Sequence, residues 1–372
     1  MIEFINIQKK FQNKTILKNI NFKIAKGELV VLIGPSGCGK TTSLKMINKL
    51  IEPSEGSILI DGKDISSLNT IELRRNIGYV IQQTGLFPHM TVRENIGLVP
   101  SLKKWSKEKI EERVIELLAM VGMNPEEYID RYPSELSGGQ QQRIGVARAF
   151  ATNPEIILMD EPFSALDPIT RNQLQDELYS LQQEFKKTIV FVTHDMDEAL
   201  KLGDRICIMQ QGDILQYDAP ENLLRNPNGE FVEEFIGKNR IWSNPEYIKA
   251  RDIMIKDPVT TNGIRSSLQG IEIMRQKKVD SLLIVDKRNT LEGIITLKDI
   301  RKDSNYNIKL KDIMERQLIT VNEEDSILEV LNRMNKESIG YIPVVDDNST
   351  LKGLITKSSL LSVLSNQYLQ EV

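Results

Sequence analysis

The sequence is poor in cysteine, in long apolar runs and in any excess of basic charge, and each shortage excludes a class of protein. The two cysteines, Cys38 and Cys207, cannot build a disulfide framework and suit a reducing compartment. The longest apolar runs, at residues 29–33 and 156–159, fall far short of the ~20 residues that a membrane-spanning helix needs. The 52 acidic residues outnumber the 48 basic ones, so the surplus that nucleic-acid binding requires is missing. We therefore expect a cytoplasmic protein that neither spans a membrane nor binds nucleic acid.

The length and a change of character near residue 240 predict two domains in the chain of 372 residues. In the first, residues 1–238, a buried strand leads through a glycine-rich turn into a helix, which predicts an α/β fold with a parallel sheet. Asp61 and Gly62 predict a hairpin turn, so antiparallel strands are expected beside that sheet. Residues from about 88 to 155 have helical spacing and predict a mostly helical subdomain.

The second domain, residues 239–372, contains an internal duplication. Three motifs recur 60 positions later: Asp252-Ile-Met254 as Asp312-Ile-Met314, Ile284-Val-Asp286 as Val344-Val-Asp346, and Gly293-Ile-Ile-Thr296 as Gly353-Leu-Ile-Thr356. A constant spacing across three separate motifs predicts two copies of one βαββα-like unit, at about 250–303 and 310–366. We expect the two copies to pack together, because neither would bury its apolar face alone.

The glycine-rich turn has the pattern of a phosphate-binding loop. It comprises Gly34, Pro35, Ser36, Gly37, Cys38, Gly39, Lys40, Thr41 and Thr42. Glycines let successive backbone N–H groups surround phosphate oxygens, and the amino end of the following helix adds positive potential. In this pattern Lys40 offsets phosphate charge and the Thr41 hydroxyl ligates Mg²⁺. The alternative is a structural glycine turn.

The apolar strand at 156–159 ends in two carboxylates, Asp160 and Glu161. Both side chains can reach the crevice at the carboxyl edge of a parallel sheet. We expect Asp160 to hold Mg²⁺ and Glu161 to polarise the attacking water as a general base. A solvated turn is the alternative interpretation, and the preceding phosphate loop favours catalysis.

Between these motifs, residues Leu136, Ser137, Gly138, Gly139 and Gln140 precede a helical run at 141–150. Small residues at the amino end of a helix form a second anion cradle, available to a γ-phosphate. An ordinary helix cap is the alternative, and only the combination with the other two motifs favours nucleotide binding.

Together the three motifs resemble those of the ABC-transporter ATPases, in which residues 136–140 are the signature motif. The resemblance covers residues 1 to about 238. It implies ATP and Mg²⁺ as cofactors and a head-to-tail homodimer, with each ATP between the phosphate loop of one chain and Ser137–Gln140 of the other. ATP binding would close this dimer and hydrolysis would open it, which drives a membrane permease. A peripheral position on the cytoplasmic face of the membrane follows.

The same resemblance gives roles to single residues elsewhere in the first domain. Phe11 matches the aromatic that stacks on adenine, and Gln82 matches a glutamine that touches Mg²⁺ and contacts the membrane subunit. Asp167 lies in the D-loop at 164–167, and His194 matches the histidine that senses the γ-phosphate. Taken singly, each residue has an alternative: core for Phe11, a surface amide for Gln82, a helix cap for Asp167 and a structural histidine for His194.

Residues 78–90, with Glu94-Asn95-Ile96 and Val99-Pro100, resemble more narrowly the ATPases of quaternary-amine importers. These systems take up glycine betaine, carnitine or choline. The resemblance implies a permease and an extracytoplasmic substrate-binding protein as separate chains. The transported molecule would never touch this chain, so the sequence leaves its identity open.

The duplicated unit resembles the CBS repeat, two of which pack about a pseudo-twofold axis and leave clefts that often bind adenine nucleotides. Gly293, Thr296 and Asp299 match the ribose-binding pattern, whereas the second copy has Ser359 in place of the acid. The resemblance to osmolyte importers implies cyclic di-AMP as a ligand. The predicted lining comprises Val259, Val279, Ser281, Tyr341, Leu354 and Lys357.

Two alternatives remain for this pair of repeats. The lining residues could simply fill a core. The pair could also sense ionic strength through charge contacts with anionic lipid, although the tail at 366–372 carries a single charged side chain, Glu371.

Related ATPases without a transport role fit the sequence less well. Chromosome-organising and DNA-repair members place coiled coils or zinc cysteines between the phosphate loop and the signature, which here lie only 96 positions apart, from Lys40 to Leu136. Translation factors of this kind carry two ATPase cassettes, and this chain has one. A purely nucleotide-sensing role is the remaining alternative, and the presence of Glu161 and His194 favours hydrolysis.

Overall fold

The computed structural model describes residues 1–12, 14–82, 85–164, 166–238, 240–301 and 307–361. The chain divides into two compact units, Met1–Lys238 and Asn239–Val372. Each unit has hydrophobic cores of its own. The predicted ends of the two repeats, residues 302–303 and 362–366, and the tail at 366–372 lie outside the described residues.

The first unit contains two sheets. Its strands are β1 (Ile2–Phe11), β2 (Lys14–Ile24), β3 (Leu29–Ile33), β4 (Glu55–Ile60), β5 (Lys63–Asp64), β6 (Ile77–Val80), β7 (Ile156–Asp160), β8 (Thr188–Val192), β9 (Arg205–Gln210) and β10 (Asp213–Asp218). One sheet is antiparallel with the order β2-β1-β4-β5, and the other has the order β10-β9-β3-β8-β7-β6. In the six-stranded sheet all neighbours are parallel except β9 and β10.

The burial of the strands follows from this arrangement. β3, β7 and β8 are buried along their whole length, as expected for central strands of a parallel sheet covered on both faces. The predicted hairpin joins β4 to β5, and Asp61 and Gly62 have φ of 49° and 76°. Positive φ at both central residues is the geometry that a two-residue hairpin turn favours.

The helices of the first unit surround the parallel sheet and fill the predicted helical subdomain. They are α1 (Lys40–Ile47), α2 (Thr70–Arg75), α3 (Val92–Leu102), α4 (Lys107–Met120), α5 (Pro125–Tyr128), α6 (Gly138–Phe150), α7 (Pro168–Phe185), α8 (Met196–Leu202), α9 (Pro220–Arg225) and α10 (Glu230–Ile236). Helices α3, α4 and α6 pack against one another around a buried cluster that includes Ile96, Leu117 and Ile144.

The second unit repeats one arrangement twice. Its elements are α11 (Ala250–Ile253), β11 (Thr260–Thr261), α12 (Ser267–Lys277), β12 (Ser281–Val285), β13 (Leu291–Thr296), α13 (Leu297–Arg301), α14 (Leu310–Ile313), β14 (Val321–Asn322), α15 (Ile327–Lys336), β15 (Tyr341–Val345) and β16 (Leu351–Thr356). The sheets β11-β12-β13 and β14-β15-β16 have the same order and the same strand directions. The two repeats join through paired backbone bonds between Ile255 and Leu354 and between Ile294 and Glu315.

Among the described helices, none has both the length and the apolar character that crossing a bilayer demands.

Candidate nucleotide site

Glycines shape the loop between β3 and α1. Gly34, Gly37 and Gly39 have φ of 152°, 77° and 109°, which residues with a Cβ rarely adopt. A Cβ on Gly34 would lie 2.0 Å from the carbonyl oxygen of Met209, and a Cβ on Gly39 would lie 2.3 Å from Leu17 Cδ2. The loop therefore packs tightly at both ends, while Gly37 at its middle is exposed. A backbone of this shape presents N–H groups to an anion.

The remaining loop residues differ in exposure. Ser36 is exposed, Thr42 is half-buried in the first turn of α1, and Cys38 is buried. Burial raises the pKa of the Cys38 thiol, which favours its protonated form, while the charge of Lys40 acts in the opposite direction. Cys207 is likewise a buried free thiol.

The surroundings of Lys40 suit a residue that binds an anion. Its side chain is only 7% exposed, and Nζ donates to the carbonyl oxygens of Gly34 at 2.7 Å and Pro35 at 3.1 Å. Within the described part of the chain, no carboxylate lies within 4.0 Å of this ammonium group. A buried ammonium group that no carboxylate contacts directly is costly, and a phosphate group in the loop would supply a counter-charge in contact with it.

Thr41 and Asp160 meet across the crevice between α1 and β7. The Thr41 hydroxyl donates to Asp160 Oδ1 at 2.8 Å, and Asp160 is 5% exposed. Burial raises the pKa of Asp160, while the Thr41 hydrogen bond and the charge of Lys45 act in the opposite direction. No described group of three or more His, Cys, Asp or Glu residues could form a complete metal cage. A hydroxyl beside one carboxylate instead suits Mg²⁺, which binds few protein ligands together with phosphate oxygens.

Two polar side chains converge on Glu161, which follows β7. Gln82 Nε2 donates to Glu161 Oε2 at 2.9 Å, and His194 Nδ1 lies 3.5 Å from Oε1. Glu161 has φ of 47°, and its N–H donates to the carbonyl oxygen of Val192 at 2.9 Å. The sequence offered no partner for this carboxylate, because Gln82 and His194 are distant along the chain. In this structure Gln82 is hydrogen-bonded to the predicted base, and not to the Thr41–Asp160 pair.

The signature residues form a helix cap. Ser137 Oγ accepts from the Gln140 N–H at 3.3 Å, Gln140 Oε1 accepts from the Ser137 N–H at 2.8 Å, and Gln140 Nε2 donates to the Tyr128 hydroxyl at 3.2 Å. Gly138 and Gly139 begin α6 directly after Ser137. No hydrogen bond or ion pair between described residues joins this cap to the loop at 34–42. The two anion cradles of one chain are therefore not parts of one connected site.

Phe11 ends β1 and is 47% exposed, so it is not a core residue. The ammonium group of Lys9 lies 4.8 Å from the ring centroid. An exposed aromatic ring beside a cation is a surface on which a base can stack.

Asp167 caps α7. Its Oδ1 accepts from the N–H groups of Ile169 at 3.1 Å and Thr170 at 3.0 Å. A hydrogen bond from the Thr170 side chain, together with the bond from its N–H, lowers the pKa of the carboxyl group. Residue 165 of the predicted D-loop lies outside the described residues. Asp167 is exposed, so the cap and the predicted nucleotide role are compatible.

The positive charge of Lys45 opposes the effect of burial on the pKa of Asp160, and none of the sequence motifs includes this residue. Lys45 follows Thr41 by four residues in α1, and this spacing places both side chains on one helix face. That spacing was the signal available for finding it.

A cavity of about 430 Å³ lies elsewhere in the first unit. Ile77 and Ile156, the first residues of β6 and β7, are among its lining residues. It therefore opens at the amino edge of the parallel sheet, whereas the phosphate loop, Asp160 and Glu161 lie at the carboxyl edge.

In the second unit, the predicted nucleotide lining divides between two small cores. Val259 and Val279 pack against the core of the first repeat. Leu354, 9% exposed, packs with Leu283 in a cluster that both repeats share, and Tyr341 borders this cluster. Leu354 thus fills a core here, as the alternative interpretation expects. Its place in a ligand cleft stays a prediction.

The other members of the lining lie at strand ends. Ser281 begins β12 and Tyr341 begins β15, so the two residues have equivalent places in the two repeats. Lys357 follows β16 with an exposed side chain. Burial raises the pKa of Tyr341, and the charges of Asp299 and Glu315 add to this rise. The hydroxyl therefore stays protonated and can donate a hydrogen bond.

The two repeats differ at the position expected to bind ribose. In the first, Asp299 Oδ2 accepts from the Thr296 hydroxyl at 2.6 Å and from the Thr296 N–H at 3.2 Å. In the second, Ser359 Oγ accepts from the Thr356 N–H at 3.0 Å. Serine preserves the local turn but brings no negative charge, so the two repeats differ in charge at this position.

Comparisons with known proteins agree with this architecture. The family model described as ABC transporter matches residues 17–164, and the CBS domain model matches residues 250–305 and 310–366. A dimeric bacterial ABC transporter cassette superposes with a TM-score of 0.55 and 39% sequence identity, over 59% of this chain and 99% of the cassette. A post-hydrolysis cassette dimer bound to ADP and Pi gives a TM-score of 0.55 at 38% identity, over 59% and 99% of the two chains. The predicted fold class is confirmed.

Curated relatives match nearly the whole chain. The glycine betaine/carnitine/choline transport ATP-binding protein OpuCA of Bacillus subtilis is 51% identical over 366 residues, which is 98% of this chain and 96% of the relative. The choline transport ATP-binding protein OpuBA of the same organism is 50% identical over 370 residues, covering 98% and 96%. The osmoprotectant import ATP-binding protein OsmV of Salmonella typhimurium is 42% identical over 361 residues, covering 97% and 94%. The chain belongs to the ATP-hydrolysing subunits of ABC importers for quaternary-amine osmoprotectants, and it carries tandem CBS domains after its ATPase domain.

Proposed function

We propose that the chain hydrolyses Mg²⁺-bound ATP to power the uptake of glycine betaine, carnitine or choline through a separate membrane permease. The observation that carries this proposal is the convergence of Gln82 and His194 on the Glu161 carboxylate, beside the Thr41–Asp160 pair. The names of the full-length relatives support the substrate class, since they include transport of all three amines.

The proposed ATP contacts follow from the charges in the cradle. Lys40 binds phosphate oxygens with the ammonium group that the protein leaves without a carboxylate partner. Thr41 and Asp160 would hold Mg²⁺, which when bound neutralises charge on the phosphate oxygens. The base would stack on the exposed ring of Phe11.

Glu161 is the proposed general base. Its side chain is 20% exposed, so water can reach a carboxylate that the protein already orients. Gln82 donates to one oxygen, and the His194 ring lies beside the other. Held in this way, the carboxylate accepts a proton from the attacking water, while His194 and Gln82 restrict where that water can bind.

We infer that hydrolysis needs two chains. The signature cap at Ser137–Gln140 begins a helix and offers backbone N–H groups, but it is not bonded to the phosphate loop of its own chain. A second copy arranged head to tail would bring its cap, and its Asp167, to the γ-phosphate. Dimers of the similar cassettes support this arrangement. The closing and opening of such a dimer is the movement that a permease could use.

The proposed location is the cytoplasmic face of the membrane, where the chain binds peripherally to permease subunits. The permease in turn would receive its substrate from an extracytoplasmic binding protein. The names of the relatives as ATP-binding proteins of transport systems support this division of labour.

We further propose that the CBS pair regulates transport by binding cyclic di-AMP. Tyr341 supplies a half-buried ring and a protonated hydroxyl, and the exposed Lys357 supplies a positive charge for a phosphate. Asp299 supplies an acceptor for a ribose hydroxyl. The second candidate is a structural or ionic-strength-sensing module, which the core position of Leu354 and the serine at position 359 favour.

Calorimetric titration of the full chain with cyclic di-AMP, AMP and ATP tests the regulatory proposal. Saturable binding of cyclic di-AMP is expected in the wild type and in Tyr341→Phe, which keeps the ring, and is expected to be lost in Tyr341→Ala. Absence of binding in the wild type would refute this ligand. In that case ATPase activity on vesicles with anionic lipid, measured against salt concentration, tests ionic-strength sensing.

A further inference from the structure

The first turn of α8 contains a buried carboxylate that the site described above does not use. Glu198 is 6% exposed, and both of its oxygens are engaged. Oε2 accepts from the Thr193 hydroxyl at 2.6 Å, and Oε1 accepts from Gln175 Nε2 at 3.2 Å. Burying a carboxylate is costly, and a fold retains one where its hydrogen bonds hold something in place.

Glu198 holds the turn that carries His194. This turn begins at Thr193, directly after the last residue of β8, and Thr193 is 2% exposed. The Thr193 hydroxyl donates to the Glu198 carboxylate and accepts from the N–H of Asp195, at 3.0 Å. His194 lies between these two fixed residues. Without the carboxylate, the hydroxyl would lose its acceptor and the turn would lose the bond that fixes its amino end.

The same carboxylate faces the cation that anchors the neighbouring loop. Arg171 Nε lies 4.0 Å from Glu198 Oε1, and its Nη1 lies 3.9 Å from Asp195 Oδ2. Arg171 Nη2 donates to the carbonyl oxygen of Leu166 at 3.0 Å, just before the cap of α7. One buried group therefore connects the turn of His194 with the end of the segment that begins at Glu161.

We propose that Glu198 is a positioning residue for ATP hydrolysis, acting through Thr193 and Arg171 to hold His194 beside Glu161. The proposal rests on the role assigned to His194 under the proposed function. A merely structural Glu198 would contribute to stability and leave turnover intact. A positioning Glu198 sets the turnover number of the folded protein and has little effect on ATP binding, because the phosphate loop lies on other elements.

The test compares substitutions at Glu198 and Thr193 in the full chain by steady-state ATPase kinetics. Glu198→Ala should lower kcat about 10-fold or more at an unchanged KM for ATP, the scale typical of lost outer hydrogen-bond partners. Glu198→Gln should lose less, because the amide oxygen still accepts from Thr193. Thr193→Val should resemble Glu198→Ala, and Thr193→Ser should keep wild-type kcat. The exposed neighbour Asp197, changed to Asn, is the matched control and should keep wild-type kcat.

A double-mutant cycle with His194→Ala separates the two hypotheses. If Glu198 acts through His194, then Glu198→Ala should lower kcat no further in the His194→Ala background. If the two substitutions lower kcat independently, so that their fold-losses multiply, the positioning role is overturned. Wild-type kcat in Glu198→Ala would also overturn it. So would an effect of Glu198→Ala on KM or on thermal stability alone. Wild-type kcat in His194→Ala would instead refute the proposed role of His194 itself.

Discussion

At the residue scale, the two adjacent carboxylates of the site differ in their exposure to solvent. Asp160 is almost completely buried against Thr41, which suits a ligand held in one position. Glu161, its neighbour, is 20% exposed and touches two side chains that can orient it. Asp160 is the last residue of β7, whereas Glu161 follows the strand with a left-handed φ of 47°.

Glu161→Gln should lower the ATPase kcat about 10²- to 10⁴-fold, since the amide cannot accept the proton of the attacking water. ATP binding should persist, because the substitution leaves Lys40 and Thr41 in place. Steady-state turnover and equilibrium titration with ATP measure the two quantities separately.

Glu155→Gln is the matched control for this prediction. Glu155 precedes the other end of β7, is exposed and pairs with Lys26, so its loss should leave turnover unchanged. Unchanged turnover in Glu161→Gln would show that another group takes the proton.

Single residues of the site could be predicted where a short sequence pattern contains them. Lys40, Thr41 and Asp160 belong to short patterns whose neighbours in sequence are also their neighbours in space. The Gln82–Glu161 bond could not be predicted from spacing, because it joins residues that are 79 positions apart. The Glu198–Thr193 bond spans only five positions, but a glutamate in the first turn of a helix is usually solvated.

At the element scale, the junction of α7, β8 and α8 should govern part of the pH dependence of stability. Burial raises the pKa of Glu198, and Asp195 adds to the rise, while Thr193, Arg171 and Gln175 oppose it. The folded chain then binds this proton more tightly than the unfolded chain does. The free energy of unfolding therefore falls as the pH rises from the ordinary pKa range of glutamate through the raised pKa of Glu198. It stays at the lower value at neutral pH.

Glu198→Gln should remove this contribution. Its free energy of unfolding should decline less than that of the wild type between acidic and neutral pH. Urea unfolding without nucleotide, measured at several pH values, checks the slope, with Asp197→Asn as the control for a change of net charge. If the free energy of unfolding depends on pH equally in the wild type and in Glu198→Gln, the raised pKa of Glu198 does not cause this dependence.

Elements of the parallel sheet could be predicted better than those around it. β3, β7 and β8 are continuous apolar runs, and their type follows from that pattern. Helix α7 begins at Pro168, because Asp167 caps it. A cap followed by proline at the first helical position is a signal for this start that the sequence offers.

At the scale of the whole molecule, a two-chain active site has a consequence that mixing experiments can detect. Lys40→Ala disables the phosphate loop, and Ser137→Arg obstructs the signature cap, so each variant alone should be inactive. A mixed dimer has one site built from the two undamaged halves. Equimolar mixing should therefore restore about a quarter of the wild-type activity, since half of the dimers are mixed and each has one working site.

Titration of one variant into the other, with ATPase activity as the readout, gives the dependence on composition. Sedimentation of the mixture with ATP shows how much of it is dimeric. Dimers that form without any recovery of activity would contradict sharing of the site between chains.

The pair of CBS repeats could be predicted because the chain repeats itself there. A spacing of 60 positions indicated two equivalent units, and the two three-stranded sheets have the same order and directions. The ligand of the repeats could not be predicted in the same way from the sequence. A repeat pattern does not distinguish a residue that lines a cleft from one that fills a core. Leu354 illustrates this limit, since it lies with Leu283 in the cluster that the repeats share.

The buried ammonium group of Lys40, which no described carboxylate contacts, also has a consequence for how long the protein survives in a cell. A chain without nucleotide bears the cost of that buried charge, whereas ATP at about 100 times its dissociation constant stabilises the fold by about 2.7 kcal/mol. Proteases act on opened chains, and nucleotide occupancy lowers the population of opened chains. When energy supply falls, this subunit should be degraded sooner, so its abundance would follow the adenylate pool as well as the demand for osmolytes.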